Sequence, residues 1–79
     1  MEEETIYIKE DDVQVDGVYS FQNTGSIPVR WSTVQFSEAN HGAICNPTGE
    51  RIFPGAKTVY FKGASNSMAR TVHVRRVQL

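Results

Sequence analysis

Phe21-Gln22-Asn23-Thr24-Gly25-Ser26-Ile27-Pro28-Val29-Arg30-Trp31 reads as the end of one strand, a turn and the start of the next. Asn23, Thr24, Gly25 and Ser26 supply the tolerance of positive φ and the local side-chain hydrogen bonds that turns use. Pro28 has no backbone N–H to give to a ladder, which suits the first residue of a strand or an edge. Tyr19 and Phe21 before the turn would then stack on Val29 and Trp31 after it, as two arms of a hairpin.

Upstream, Val13, Val15, Gly17, Tyr19 and Phe21 share one face of a period-two pattern, and Gln14, Asp16, Ser20 and Gln22 share the other. Gly17 within that strand marks a bend or bulge. Thr5–Lys9 is a shorter strand with Ile6 and Ile8 on one face, followed by a turn at Glu10-Asp11-Asp12. Residues 1–4 are expected to form a flexible acidic arm, and residues 5–79 a single domain.

Downstream, Pro28–Phe36 changes phase, with Val29 and Trp31 inward at odd positions and Val34 and Phe36 at even ones. A one-residue slip exposes half of such a set, so a bulge is expected near Ser32-Thr33. Ser37–Thr48 carries Asn40, Gly42, Asn46 and Pro47 and is expected to be irregular. Arg51-Ile52-Phe53 is a short apolar touch, and Pro54-Gly55 is a turn signature. Lys57–Lys62 places Val59 and Phe61 on one face, and Gly63–Ser67 forms a polar turn. Ala69–Leu79 is the last strand, with Val72, Val74, Val77 and Leu79 inward and a bulge at Arg75-Arg76 turning both arginines out. No window carries a 3.6-residue period. The expected class is all-β, a small antiparallel sandwich or barrel of about six to seven short strands. Its core would be Tyr19, Phe21, Val29, Trp31, Val59, Phe61, Val72 and Val74.

Seventy-nine residues with 39% hydrophobic content make one small core. A chain of this size buries roughly 60% of its unfolded surface, and association with copies or with a larger partner commonly adds stability. The single cysteine, Cys45, excludes an internal disulfide framework. No apolar run reaches the roughly 18 residues of a membrane span, and Met1-Glu2-Glu3-Glu4 is the opposite of a secretory leader, which points to synthesis in the cytoplasm.

The net charge of −1 hides a split. Glu2, Glu3, Glu4, Glu10, Asp11, Asp12 and Asp16 against Lys9 give residues 1–16 a net −6, while Arg51, Lys57, Lys62, Arg70, Arg75 and Arg76 give residues 51–79 a net +6. The simpler reading is that the first and last strands are neighbours and neutralise each other. The sharper one is head-to-tail contact between copies through Glu2, Glu3, Glu4, Asp11, Asp12, Arg70, Arg75 and Arg76. Nucleic acid is disfavoured as a partner, because the acidic stretch would repel phosphates.

Reactive groups are sparse. His41 and Cys45 stand four apart with His73, Glu38 and Glu50 elsewhere, short of the paired clusters of a zinc site, so Cys45 reads as a small core residue. A nucleophile pair of Cys45 and His73 lacks an orienting third group. Asp12, Gln14 and Asp16 imitate the opening of a calcium loop, but Asn23 stands where its closing glutamate belongs. The aromatics fall on the inner face of the alternation, which favours packing over base stacking. Neither an enzyme activity nor a cofactor or metal is expected.

Val18–Trp31, then Gly49-Glu50-Arg51-Ile52-Phe53-Pro54-Gly55, Val59-Tyr60-Phe61, Ser67-Met68-Ala69-Arg70 and the strand Val72–Leu79 together resemble small β-sandwich virion proteins of tailed bacteriophages. In those a strand ending Asn-x-Gly/Ser-x-x-Pro-Val precedes a Gly-x-x-Leu-x-Pro-Gly turn. Ile52, Phe53 and Met68 stand where the pattern has leucine and an aromatic. The resemblance spans residues 18–79 and implies a capsid decoration, head fibre or tail accessory role in the virion. The implied partners are copies of the chain, a trimer by the same resemblance, and a larger capsid or tail protein, with no membrane. It assigns no binding residue. The alternative is a small β-barrel binding module for nucleic acid or a host protein, acting as an inhibitor.

Overall fold

The computed structural model describes residues 2–64 and 68–77. Among them are six strands: β1 (Glu2–Ile8), β2 (Val13–Asn23), β3 (Val29–Ser32), β4 (Ala43–Cys45), β5 (Glu50–Phe61) and β6 (Arg70–Arg76). They form one antiparallel sheet in the order β1-β6-β2-β5-β3-β4. The all-β class read from the alternation is therefore the observed one. No helix covers either face of this sheet among the described residues, yet all six strands contribute to one buried core. A flat sheet would leave such residues wet, so this one is rolled around its inner face as a barrel is.

Ile8, Val18, Val29, Cys45, Val59, Phe61, Val72 and Val74 are fully enclosed, with Phe21 and Val15 nearly so. Phe21 is the centre, with its ring 5.0 Å from Phe61, 5.3 Å from Trp31 and 6.1 Å from Phe53, centroid to centroid. The approaches to Phe61 and Trp31 are edge-on, which suits the ring quadrupoles. Trp31 is half-buried, and its indole N–H finds no acceptor among the described residues.

The expected hairpin is not formed. β2 and β3 are separated in the sheet by β5, so the Phe21–Trp31 contact runs across the rolled interior rather than along a ladder. The linker arches because its donors are spent elsewhere: Thr24 and Gly25 N–H both bond to the Thr71 carbonyl on β6. The Asn23 amide donates to the carbonyls of Ile27 and Cys45, at 2.9 Å each.

Phase slips explain the other differences. Gly17 does carry a bulge, at φ 73° and between the pairs Val15↔Val59 and Val18↔Lys57. Beyond it the buried positions become Val18, Ser20, Phe21 and Asn23, which leaves Tyr19 half-buried instead of in the core. Tyr19 is also the extra residue opposite Arg75-Arg76, so that bulge sits on β2 and β6 runs regularly. Arg76 consequently keeps the phase of Val72 and Val74 and is half-buried, while Arg75 is exposed.

Pro54-Gly55 does not end a strand. Phe53–Ala56 bulge from β5 opposite Tyr19, between Val18↔Lys57 and Ser20↔Ile52, turning Phe53 onto Trp31 and leaving Ile52 74% exposed. β3 ends at Ser32, short of the expected Phe36, and Val34 is exposed. Asn40 caps that end, its amide bonding to Ser32 Oγ and to the carbonyls of Val34 and Gln35. The stretch expected to be irregular contains the short strand β4, held to β3 by Val29↔Cys45 and Trp31↔Ala43. Leu79 and residues 65–67 of the expected polar turn lie outside the described residues.

Candidate interaction surface

β1 pairs with β6 along its whole length, in the register Glu2↔Arg76, Glu3↔Arg75, Glu4↔Val74. The strand thus includes Glu2, Glu3 and Glu4, which were expected in a flexible arm; Met1 lies outside the described residues. Alternation then sets the ion pairs. Glu3 Oε1 accepts from Arg75 Nε at 3.0 Å directly opposite and from His73 Nε2 at 3.1 Å on the diagonal. Glu4 Oε1 accepts from Arg76 Nη1 at 2.9 Å. The acidic beginning and basic end of the chain neutralise each other inside one molecule, as the simpler reading of the charge split expected.

The hydrogen bond from His73, then that from Arg75 and its charge, holds the Glu3 carboxyl below its ordinary range. A carboxyl depressed in the folded state contributes stability that is present above its unfolded pKa, about 4.3, and is lost as pH falls through the lower folded value. Glu3→Gln should therefore destabilise the chain at neutral pH, with the difference from the parent shrinking below about pH 4. Urea melts at a series of pH values measure this; a constant difference across the series would contradict it.

The other predicted residues are divided. Asp12 ties the β1–β2 turn to the end of β5, its Oδ1 accepting from Gly63 N–H at 2.8 Å and its Oδ2 lying 3.7 Å from Lys62 Nζ. Glycine is required at position 63, because a Cβ there would collide with the Glu10 carbonyl. Asp11 is exposed in the same turn. Arg70 opens β6, and its Nε donates to the Pro28 carbonyl at 3.2 Å.

Arg70 also lines a groove of about 560 Å³ with Pro28, Arg30, His41, Ile44, Lys62, Gly63 and Ala64. Arg30 sits on β3 opposite Ile44 of β4, and its Nη1 reaches the His41 carbonyl at 3.5 Å. Lys62 follows β5, its ammonium 5.3 Å from the Phe36 ring centroid. No carboxylate lines this groove among the described residues. Sequence reading singled out Arg70 but not Arg30 or Lys62, since nothing local links positions 30, 62 and 70.

Cys45 is a fully buried free thiol that donates to the Gly49 carbonyl at 3.4 Å, a core residue as expected. His41 is exposed. No group of three or more histidine, cysteine or acidic side chains stands close enough to hold a metal ion among the described residues. Among those residues, too, no helix is long and apolar enough to cross a membrane.

No protein-family model, curated protein or solved structure matches the chain.

Proposed function

We propose that this chain is a non-enzymatic structural module that assembles with copies of itself and attaches to a larger protein lattice. The observation that carries this reading is the pair of open sheet edges. β1 and β4 each have one neighbour among the described residues, so the seven-residue β1 presents a row of backbone donors and acceptors to an added strand, and the shorter β4 presents those of Ile44. Tyr7 on β1 and Ile44 on β4 stand exposed beside those rows. A chain of 8.9 kDa gains more from such lateral contacts than a large domain would, and repetition on a lattice multiplies a weak contact.

The resemblance of residues 18–79 to small virion proteins of tailed bacteriophages supplies the setting, a capsid decoration or tail accessory role. The competing reading, a nucleic-acid binder, needs rings exposed in a row beside arginines. Phe21 and Phe61 are instead enclosed, and Trp31 and Phe53 pack against them. The mass of the chain in solution tests the reading: an assembly supports it, and a monomer at every salt concentration contradicts it.

A further inference from the structure

We infer that two copies of the chain pair edge to edge through β1, antiparallel about a two-fold axis at Thr5. The direction in which the backbone of β1 points follows from β6. The Thr71 carbonyl of β6 accepts from Thr24 and Gly25 just past the end of β2, and Val77 N–H donates to the Gly17 carbonyl. Thr71, His73 and Arg75 therefore turn their backbone groups toward β2, and Arg70, Val72, Val74 and Arg76 turn theirs toward β1. The partners of those four are Ile8, Ile6, Glu4 and Glu2. The backbone groups of Glu3, Thr5 and Tyr7 are left facing the open side, with no partner among the described residues. Lys9, the next residue in that phase, is already engaged: its carbonyl accepts from Ala64 N–H at 2.9 Å.

Over that stretch β1 is complementary to itself. A two-fold axis at Thr5 sets Glu3 opposite Tyr7 of the second copy, Thr5 opposite Thr5, Glu4 opposite Ile6 and Glu2 opposite Ile8. No glutamate then stands directly across from a glutamate, and threonine on threonine is a favourable cross-strand pair. A shift of two residues one way would oppose Glu4 to Glu4, and the other way would require the Lys9 carbonyl, which is taken. A slip of one residue would set groups already bonded to β6 against the open ones. Charge commonly guards an edge, but here it is spent within the molecule, Glu3 on Arg75 and His73 and Glu4 on Arg76. β4 offers an added strand only Ile44, so β1 is the edge that pairs.

This rests on the reading of the chain as a self-assembling module, and its tests separate the two. A two-fold contact closes at two copies, so the geometry favours a dimer where the phage resemblance favours a trimer. In Thr5→Cys the new thiols would face each other across a pair whose Cα atoms stand about 5.5 Å apart, within disulfide reach. Mild copper–phenanthroline oxidation should convert most of that variant to a covalent dimer on a non-reducing gel. Lys57→Cys, also exposed but on β5, should link far more slowly, and the buried Cys45 takes no part in either. Thr5→Pro removes the N–H that faces the open side, a place where an edge strand tolerates proline. It should still melt cooperatively and associate about tenfold or more weakly by sedimentation equilibrium, having lost the two hydrogen bonds of the central pair.

Cross-linking of Thr5→Cys no faster than that of Lys57→Cys would overturn the inference. So would a Thr5→Pro chain that assembles as tightly as the parent. A trimer whose Thr5→Cys form stays unlinked removes this pairing and leaves self-assembly standing; a monomer at every concentration contradicts both.

Discussion

Asn23→Ala is expected to destabilise the chain by about 3 kcal/mol or more, as the sum of lost hydrogen bonds and stranded partners. The residue is 1% exposed. Its Nδ2 donates to the carbonyls of Ile27 and Cys45 at 2.9 Å each, and its Oδ1 accepts from Gly25 N–H at 3.0 Å. Its own backbone N–H and C=O pair with Gly49 and Thr48. One side chain thus joins the end of β2, the linker to β3 and the end of β4. Truncation leaves two carbonyls without this donor where water has poor access. Asn23→Asp should be at least as damaging at neutral pH, because it turns a carboxylate toward those same two carbonyls. Its penalty should ease as the pH falls and the acid regains a proton to donate. Urea denaturation reads both; a loss under about 1 kcal/mol for the alanine variant would mean that the linker holds without the clasp.

Phe21→Ala is the other large effect, expected at about 3–5 kcal/mol. Phe21 touches three aromatic rings at once, those of Trp31, Phe53 and Phe61, which come from β3 and from both ends of β5. Its removal leaves a cavity where the two sides of the rolled sheet meet, and the rigid rings around it cannot close the gap. Stability of about 0.05–0.15 kcal/mol per residue is ordinary for a domain, so a chain of 79 residues has little to spare. The variant should populate unfolded chains at room temperature, visible as loss of the Trp31 fluorescence transition. A cooperative transition close to that of the parent would place the centre of the core elsewhere.

What the sequence made legible was what alternation controls. Phe21, Val29, Val59, Phe61, Val72 and Val74 fall on the inward face of the alternation and are buried, and Gly17, a bulge signal within its strand, carries one. Where a bulge fell on an unmarked residue, the inference failed. The slip at Arg75-Arg76 can be relieved on either strand of the pair, and it is relieved at Tyr19 on β2. Pro54-Gly55 carries a turn signature, but a bulge inside a long strand meets the same backbone needs. The linker from Asn23 to Pro28 looked like a hairpin because its local chemistry suits any reversal. Its path is set instead by Thr71 and Cys45, far away in sequence.

The surface was legible in the same uneven way. The opposite charges of the two ends are a property of composition, and the pairing of β1 with β6 follows them. The groove has no such signature. Its cations are brought together by the order of strands, and strand order is what a single sequence expresses least.

The direct test of the proposed role is the mass of the chain by light scattering over a salt series. An assembly larger than the 8.9 kDa monomer is expected, with a trimer as the form the phage resemblance favours. Its mass should hold as salt rises, because Glu3 and Glu4 already have partners within the chain. A monomer of 8.9 kDa at every salt concentration would contradict self-assembly through the open edges.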